Sequence, residues 1–310
     1  MTPAPFDRRA HPQGMRLWDW RAPDGWLHRR MDWLAEGGEA RGSLLFAGGR
    51  GDFVEKYLEA LAHWRRRGWS VSSFDWRGQG KSKGTIVGGH LDSFDILLED
   101  LAALVEDWRA GGPGPHVIVG HSMGGHMLLR LLIERPPPIA AAVLTAPMIE
   151  VNSGPIPPRA ARLIAAAASR IGFAQRALWG APLARAPAGS KRQQVLTNCL
   201  ERYEDELSWW EREGEFAPSP PTFGWLHASY RSGRLFTRRR LARVDLPILL
   251  VGVEQDRLVS ADAIRRVAAA LPRAELAMFD DCAHEILRER DGPRLAAFAR
   301  INGFLERHAA

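Results

Sequence analysis

The stretch Gly120-His121-Ser122-Met123-Gly124-Gly125 places a hydroxyl between glycines in a pattern suited to attack on a carbonyl carbon. A serine hydroxyl is a poor nucleophile until a base removes its proton. That base is usually histidine, held in the right tautomer by a carboxylate. The run Val117-Ile118-Val119 reads as a buried strand, and His126 to Ile133 as an apolar helix. Gly120-x-Ser122-x-Gly124 between them is the nucleophile-elbow pattern. Glycine two positions to either side avoids a Cβ that would collide with the neighbouring strand or helix. The Ser122 hydroxyl is expected above the sheet edge, at the positive N-terminus of the helix.

In this strand–helix logic the acid and the base follow the serine in the chain. Two loops after predicted strands supply them, Gly252-Val253-Glu254-Gln255-Asp256-Arg257 and Asp280-Asp281-Cys282-Ala283-His284-Glu285. Ser122 is assigned as nucleophile, Asp256 as orienting acid and His284 as base. Glu254, then Asp280 or Asp281, are the rivals to Asp256, and His121 is the rival to His284. The glycine cluster Gly48-Gly49-Arg50-Gly51-Asp52 follows a short strand, Ser43 to Ala47, and such a loop can aim backbone N–H groups at a developing oxyanion.

The elements that must position these groups alternate. Trp26 to Leu34 reads as an early strand, followed by a turn at Glu36-Gly37-Gly38. After the Ser43 strand come a helix with Phe53, Tyr57, Leu61 and Trp64 on one face, a strand from Trp69 to Phe74, and a helix carrying Leu97, Leu101, Leu104 and Trp108. The elbow strand and helix follow, then a strand from Ala140 to Thr145. That order predicts an α/β fold with a mostly parallel central sheet, flanked by helices, whose carboxyl ends share one rim. Residues 148–243 break the rhythm: helices are expected over Ala160 to Ile171 and Leu196 to Arg212, with no strand. The sheet resumes over Val244 to Val251. Ser260 caps a helix running to Leu271, Leu276 to Phe279 is a last strand, and a helix around Leu295 to Leu305 closes the chain. Residues 1–147 and 244–310 are therefore expected to form the core and 148–243 an inserted helical cap. Residues 1–15 are Pro-rich and read as a loosely held arm. Gly80-Lys81-Ser82 is not a phosphate loop, since Asp75 stands where its first glycine belongs.

The chain has 310 residues, of which 45% are hydrophobic, enough for a sizeable core. Its net charge is +6, from 42 Lys and Arg against 36 Asp and Glu. Arg65-Arg66-Arg67 and Arg238-Arg239-Arg240 carry no aromatic-interleaved nucleic-acid motif, so nucleic acid is not an expected partner. They read either as solvated helix faces or as a surface drawn to anionic lipid headgroups. Cys199 and Cys282 give neither a disulfide framework nor a metal spacing, and no metal or cofactor is expected. The first residues lack an apolar signal-peptide segment and no apolar run reaches spanning length. A cytoplasmic protein is expected, with peripheral contact at the inner membrane face as a further expectation.

The chain resembles the α/β-hydrolase superfamily, in particular its lysophospholipase and monoacylglycerol-lipase branch. The matching stretches are Gly48 to Tyr57, Asp75 to Ser82, Gly120 to Gly125, Gln255 to Ser260 and His284 to Leu287. The resemblance implies hydrolysis of single-acyl lipid esters through an acyl-enzyme. It implies an oxyanion hole from the N–H of Met123 and a second N–H from the glycine loop. Lipases of this branch commonly carry His-Gly where this chain has Gly48-Gly49, so the second donor is Gly49 or Arg50, with Arg50 favoured by its spacing from Asp52 and Tyr57. The resemblance also makes residues 148–243 a lid. Trp209, Trp210, Phe223, Trp225 and Tyr230, with Phe216 and Leu226, would supply its apolar wall or form the lid's own small core. The other readings are a short-chain esterase or peptidase-like hydrolase of this fold, and a non-catalytic binding protein. Haloalkane dehalogenases and epoxide hydrolases are disfavoured, because they use Asp where this chain has Ser122.

Overall fold

The computed structural model describes residues 6–37, 40–84, 89–178 and 186–310. Residues 1–5 of the expected arm, Gly38 of the expected turn and part of the expected cap lie outside the described residues. Strands β1 (Met15–Arg21), β2 (Leu27–Trp33) and β3 (Gly42–Ala47) are followed by helix α1 (Leu58–Arg65), β4 (Trp69–Phe74), α2 (Asp95–Ala110), β5 (His116–His121), α3 (Met123–Glu134) and β6 (Ala141–Thr145). Helices α4 (Pro158–Ala168), α5 (Lys191–Leu196), α6 (Leu200–Arg212), α7 (Phe223–Gly233) and α8 (Arg238–Leu241) intervene before β7 (Ile248–Val253), α9 (Ala261–Ala268), β8 (Ala274–Phe279) and α10 (Asp291–His308).

The strands form one eight-stranded sheet in the order β1-β2-β4-β3-β5-β6-β7-β8. Pairing is antiparallel for β1–β2 and β2–β4 and parallel from β4 through β8. Side chains alternate across the sheet with the strand period of two. Leu45, Ile118, Leu144 and Leu250 pack with α2, α3 and α9 on one face, while Phe46, Val119, Val143 and Val251 pack with α1 and α10 on the other. Burial on both faces explains why β5, β6 and β7 read as nearly continuous apolar runs. The register sets Ala47 beside Gly120 and Gly120 beside Leu144, so the loops after β3, β5 and β6 leave from one rim.

Several elements differ from the sequence expectation. Strand β1 has no counterpart in it, because this is an edge strand of mixed polarity with only Trp20 buried. The described part of the arm, residues 6–15, is pinned rather than loose. Arg8 and Arg9 bond Asp205, the Arg9 distance being 2.6 Å, and Trp209 Nε1 donates to the Arg8 carbonyl at 2.9 Å. The helix expected from Leu196 starts at Leu200, since Thr197 turns its hydroxyl onto the Arg288 carbonyl at 2.9 Å and receives the Cys199 N–H at 3.0 Å. The Ser260 cap is present, its side chain accepting from the Ala263 N–H, and its helix stops at Ala268.

Two glycines set how closely α3 approaches the sheet. A Cβ at Gly120 would lie 2.8 Å from the backbone of Gly124 and Gly125, and one at Gly124 would run into the Ala47 carbonyl oxygen. Backbone cannot yield there as a flexible side chain can. Gly124→Ala is therefore expected to lower unfolding stability by about 2 kcal/mol or more, measured by urea denaturation. Gly292→Ala, with nothing within 4 Å of its added methyl, should stay within about 0.5 kcal/mol of the native chain.

Candidate active site

Ser122 ends β5 with φ 51° and ψ −114°, a left-handed conformation rare for a residue with a Cβ. It is held there from both ends. Its N–H donates to the Thr145 carbonyl at 3.0 Å, and its own carbonyl accepts from His126 and Met148, each at 3.0 Å. The conformation lifts the side chain off the strand to the N-terminus of α3. The loop after β7 supplies Asp256 and the loop after β8 supplies His284, at the same carboxyl-end rim.

The Ser122 hydroxyl donates to His284 Nε2 across 2.8 Å, and His284 Nδ1 donates to Asp256 Oδ2 across 2.7 Å. Asp256 Oδ1 accepts the Leu258 and Val259 N–H groups at 2.7 and 3.1 Å, which fixes the carboxylate. Serine, aspartate and histidine are all buried, with 9, 7 and 3% exposure. Burial pushes the His284 pKa down, but the Asp256 carboxylate outweighs it and holds the imidazole above its ordinary value. Burial acts to raise the Asp256 carboxyl, yet His284 and the backbone donors hold it below the usual range. The arrangement can take a proton from Ser122 onto His284 and stabilise the resulting imidazolium.

Glu254, Asp281 and His121 are engaged elsewhere. Glu254 is paired with Arg265, and Asp281 with Arg290 at 2.8 Å. His121 turns Nδ1 to the Thr145 carbonyl at 3.2 Å, and its ring packs 5.0 Å from that of His284 without bonding the serine. Burial pushes the His121 pKa down to about 4, so it stays neutral beside the His284 imidazole.

The glycine loop lies against the elbow. A Cβ built at Gly49 would be 3.0 Å from the Ser122 Cβ. The Gly49 N–H is committed to Asp52 Oδ2 at 2.6 Å, whereas among the described residues the N–H groups of Arg50 and Met123 have no acceptor. Asp52 is anchored in turn by Lys56 Nζ at 2.7 Å, and the same ammonium reaches Glu285 at 2.6 Å and Glu206 of α6 at 3.4 Å. Arg288 and Arg192 also grip Glu206, at 2.8 and 2.7 Å, and Arg288 pairs with Glu285. Lys56, Arg192 and Arg288 thus balance Asp52, Glu206 and Glu285 in a buried network joining the glycine loop, the His284 loop and helices α5 and α6. Sequence reasoning singles out none of these six as site residues. The i,i+4 spacing of Asp52 and Lys56, and Glu285 beside His284, are the only local signals.

Behind the loop, Asp75 takes the N–H groups of Val54 and Lys81 at 2.9 and 2.8 Å, so the Asp75–Ser82 stretch is a buried brace. The aromatic residues expected as an apolar wall divide into separate groups. Trp209 and Trp210 pack with Phe53, Leu58 and Phe216, and are 4 and 2% exposed. Tyr230 packs with Ala161 and Ala165 of α4. Trp225 meets Phe94, with ring centroids 5.6 Å apart, and the Arg50 guanidinium lies 5.1 Å above it. Phe223 is half-buried at the start of α7.

Lys56→Met leaves Asp52, Glu206 and Glu285 with one countercharge fewer. The expected cost is about 3–5 kcal/mol of unfolding free energy in urea. Asp52 and Glu285 both raise the His284 pKa, so the His284 imidazole should titrate at higher pH in this variant, read by NMR.

The family model described as serine aminopeptidase, S33, matches residues 38–291. A probable lysophospholipase L2 of Haemophilus influenzae is 26% identical over 269 residues, 84% of this chain and 83% of that protein. Lysophospholipase L2 of Escherichia coli is 28% identical over 275 residues, 84% of this chain and 79% of that protein. The fold matches a soluble variant of monoglyceride lipase from Saccharomyces cerevisiae, solved with a substrate analog, at TM-score 0.75 and 18% identity over 99% of this chain and 100% of that one. With the sheet order, the elbow and a family match running from β3 to the start of α10, the chain belongs to the serine aminopeptidase S33 family of α/β-hydrolases.

Proposed function

We propose that this chain is a carboxylic-ester hydrolase for single-acyl lipids, lysophospholipid or monoacylglycerol, working through Ser122, His284 and Asp256. The hydrogen-bonded line from Asp256 through His284 to a serine held at positive φ carries the reading. The lipid preference draws on the relatives with lipid-ester activities in their names. Ser122 Oγ attacks the ester carbonyl as His284 Nε2 takes its proton. The tetrahedral oxyanion is met by the N–H groups of Met123 and Arg50, since that of Gly49 is spent on Asp52. His284 returns the proton to the departing alcohol as the C–O bond breaks. Water, deprotonated by His284, then adds to the acyl-enzyme, and collapse releases the fatty acid and Ser122. Each N–H donor of this kind contributes about 3–4 kcal/mol to the transition state.

Residues 148–243 act in this proposal as the cap that closes over Ser122. Trp225 and Phe223 form the wall nearest the glycine loop, while Trp209, Trp210 and Tyr230 stiffen the cap. The cap also presents Leu163, Ile164, Ile171 and Phe173, exposed by 71, 50, 67 and 39%, beside the exposed cations Arg159, Arg170 and Arg176. An apolar face rimmed by arginine suits an anionic lipid surface. No helix among the described residues is long and apolar enough to cross a membrane.

Ser122→Ala is expected to abolish the burst and turnover with p-nitrophenyl esters, and retention of most turnover would end the proposal. Activity falling off beyond butyryl esters would favour the short-ester reading of the same site. Neutral His284 is the working form, so kcat/KM should be lost as pH falls through a value above the ordinary imidazole pKa of about 6.5. Asp256→Asn removes the charge that raises it, moving this acid limb to lower pH and cutting kcat by about 10⁴. Leu163→Asp with Ile164→Asp should weaken sedimentation with anionic vesicles and leave hydrolysis of p-nitrophenyl butyrate in solution intact.

A further inference from the structure

Arg50 is half-buried, and it differs from the buried arginines of the glycine-loop region in its partners. Arg29 holds Glu55 and Asp75, Arg77 holds Asp100, and Arg288 holds Glu206 and Glu285. Arg50 has no carboxylate partner among the described residues. Its Nη2 donates to the Ser219 carbonyl at 2.5 Å, its guanidinium lies over Trp225, and its Nε is buried with no acceptor. Burial alone pushes its pKa down to about 10, which leaves it cationic at neutral pH. A half-buried guanidinium with a buried, unpaired Nε and no carboxylate beside it is a site an anion can complete.

The position of this charge matters. Arg50 supplies the loop N–H placed in the oxyanion hole, so its side chain starts at the reacting carbonyl. An extended arginine side chain reaches about as far as a glycerol backbone carries a phosphate from its ester carbonyl. Lys83 and Gln79 line the same cleft, under a roof of Phe216, Ala217, Pro218 and Ser219. The cleft holds only about 20 Å³, so a phosphate enters as the roof shifts and the guanidinium exchanges the Ser219 carbonyl for phosphate oxygens. That exchange is favourable, because a bidentate guanidinium–phosphate pair is stronger than a bond to a neutral carbonyl.

We propose that Arg50, with Lys83 beside it, is an anion subsite for the phosphate of the leaving group, selecting phosphate-bearing lysolipids over neutral monoacylglycerol. This rests on the ester-hydrolase reading above. The test compares 1-oleoyl-glycerol 3-phosphate with 1-oleoylglycerol as monomers, using native enzyme, Arg50→Gln and Arg50→Lys. The native kcat/KM should favour the phosphate ester by about tenfold or more, the preference should collapse in Arg50→Gln, and Arg50→Lys should restore part of it. sn-Glycerol 3-phosphate should compete against p-nitrophenyl butyrate in the native enzyme and do so far more weakly in Arg50→Gln. An unchanged selectivity ratio in Arg50→Gln, or both substrates slowed equally, overturns the proposal. Inhibition by inorganic phosphate equal to that by sn-glycerol 3-phosphate overturns the headgroup assignment in favour of a free-phosphate site. A native enzyme that cleaves none of these esters sinks the hydrolase reading instead. Calorimetric binding of sn-glycerol 3-phosphate to Ser122→Ala, lost on adding Arg50→Gln, reads the anion subsite without turnover.

Discussion

The close approach of the α3 N-terminus to β3 and β5 is the constraint on which the site depends. Ser122 must adopt a left-handed backbone conformation to clear the sheet, and the helix must begin at the next residue. Both are met only because Gly120 and Gly124 leave room where the backbones of Gly124 and Ala47 pass. Once the elbow is in place, the glycine loop after β3 lies against Ser122, and Met123 presents a helix N-terminal N–H to the same point. The strain at Ser122 is held by bonds to Thr145 at the end of β6, His126 of α3 and Met148 in the loop after β6. The nucleophile's geometry is thus a property of the packed sheet and not of the turn alone.

Around this elbow the protein keeps charge inside the core, and it does so by balance. Lys56, Arg192 and Arg288 meet Asp52, Glu206 and Glu285. Arg29 meets Glu55 and Asp75. Such networks are stable only when every member is satisfied, so they tolerate little displacement. Here that rigidity falls on the loops flanking the reacting centre. Asp52 occupies the Gly49 N–H, and Glu285 ties the residue after His284 to Lys56. The two sides of the site are thereby registered through one ammonium group. Glu206 and Arg192 extend the register into the helices between β6 and β7, which couples the placement of that segment to the glycine loop and the His284 loop.

Strands β3, β5, β6 and β7 are legible in the sequence because they are buried on both faces, which leaves short, mostly apolar runs between glycine and proline turns. Edge strand β1 is not, since half of its side chains face water and its polarity carries no clear period. The prolines of the arm suggest a loose segment, yet Arg8 and Trp209 join it to α6 across 201 residues, a contact that no local pattern announces. The same holds for the start of α6. Its sequence favours helix from Leu196, and the Thr197 hydroxyl is drawn away by a carbonyl near the other end of the chain.

By itself the sequence determined the elements and the reactive types. Local spacing fixes where a glycine-flanked serine follows a buried strand, and strand order fixes which later loops share its rim. It therefore pointed to Ser122, Asp256 and His284 without coordinates. Tertiary structure alone decided which groups are free and which are spent. That Glu254 is taken by Arg265, that the Gly49 N–H is taken by Asp52, and that the Arg50 guanidinium has no carboxylate among the described residues all depend on partners brought together by folding. Hydrogen-bond and charge partners are chosen by proximity in space, and a linear pattern carries that information only where the partners lie within a turn or two of each other.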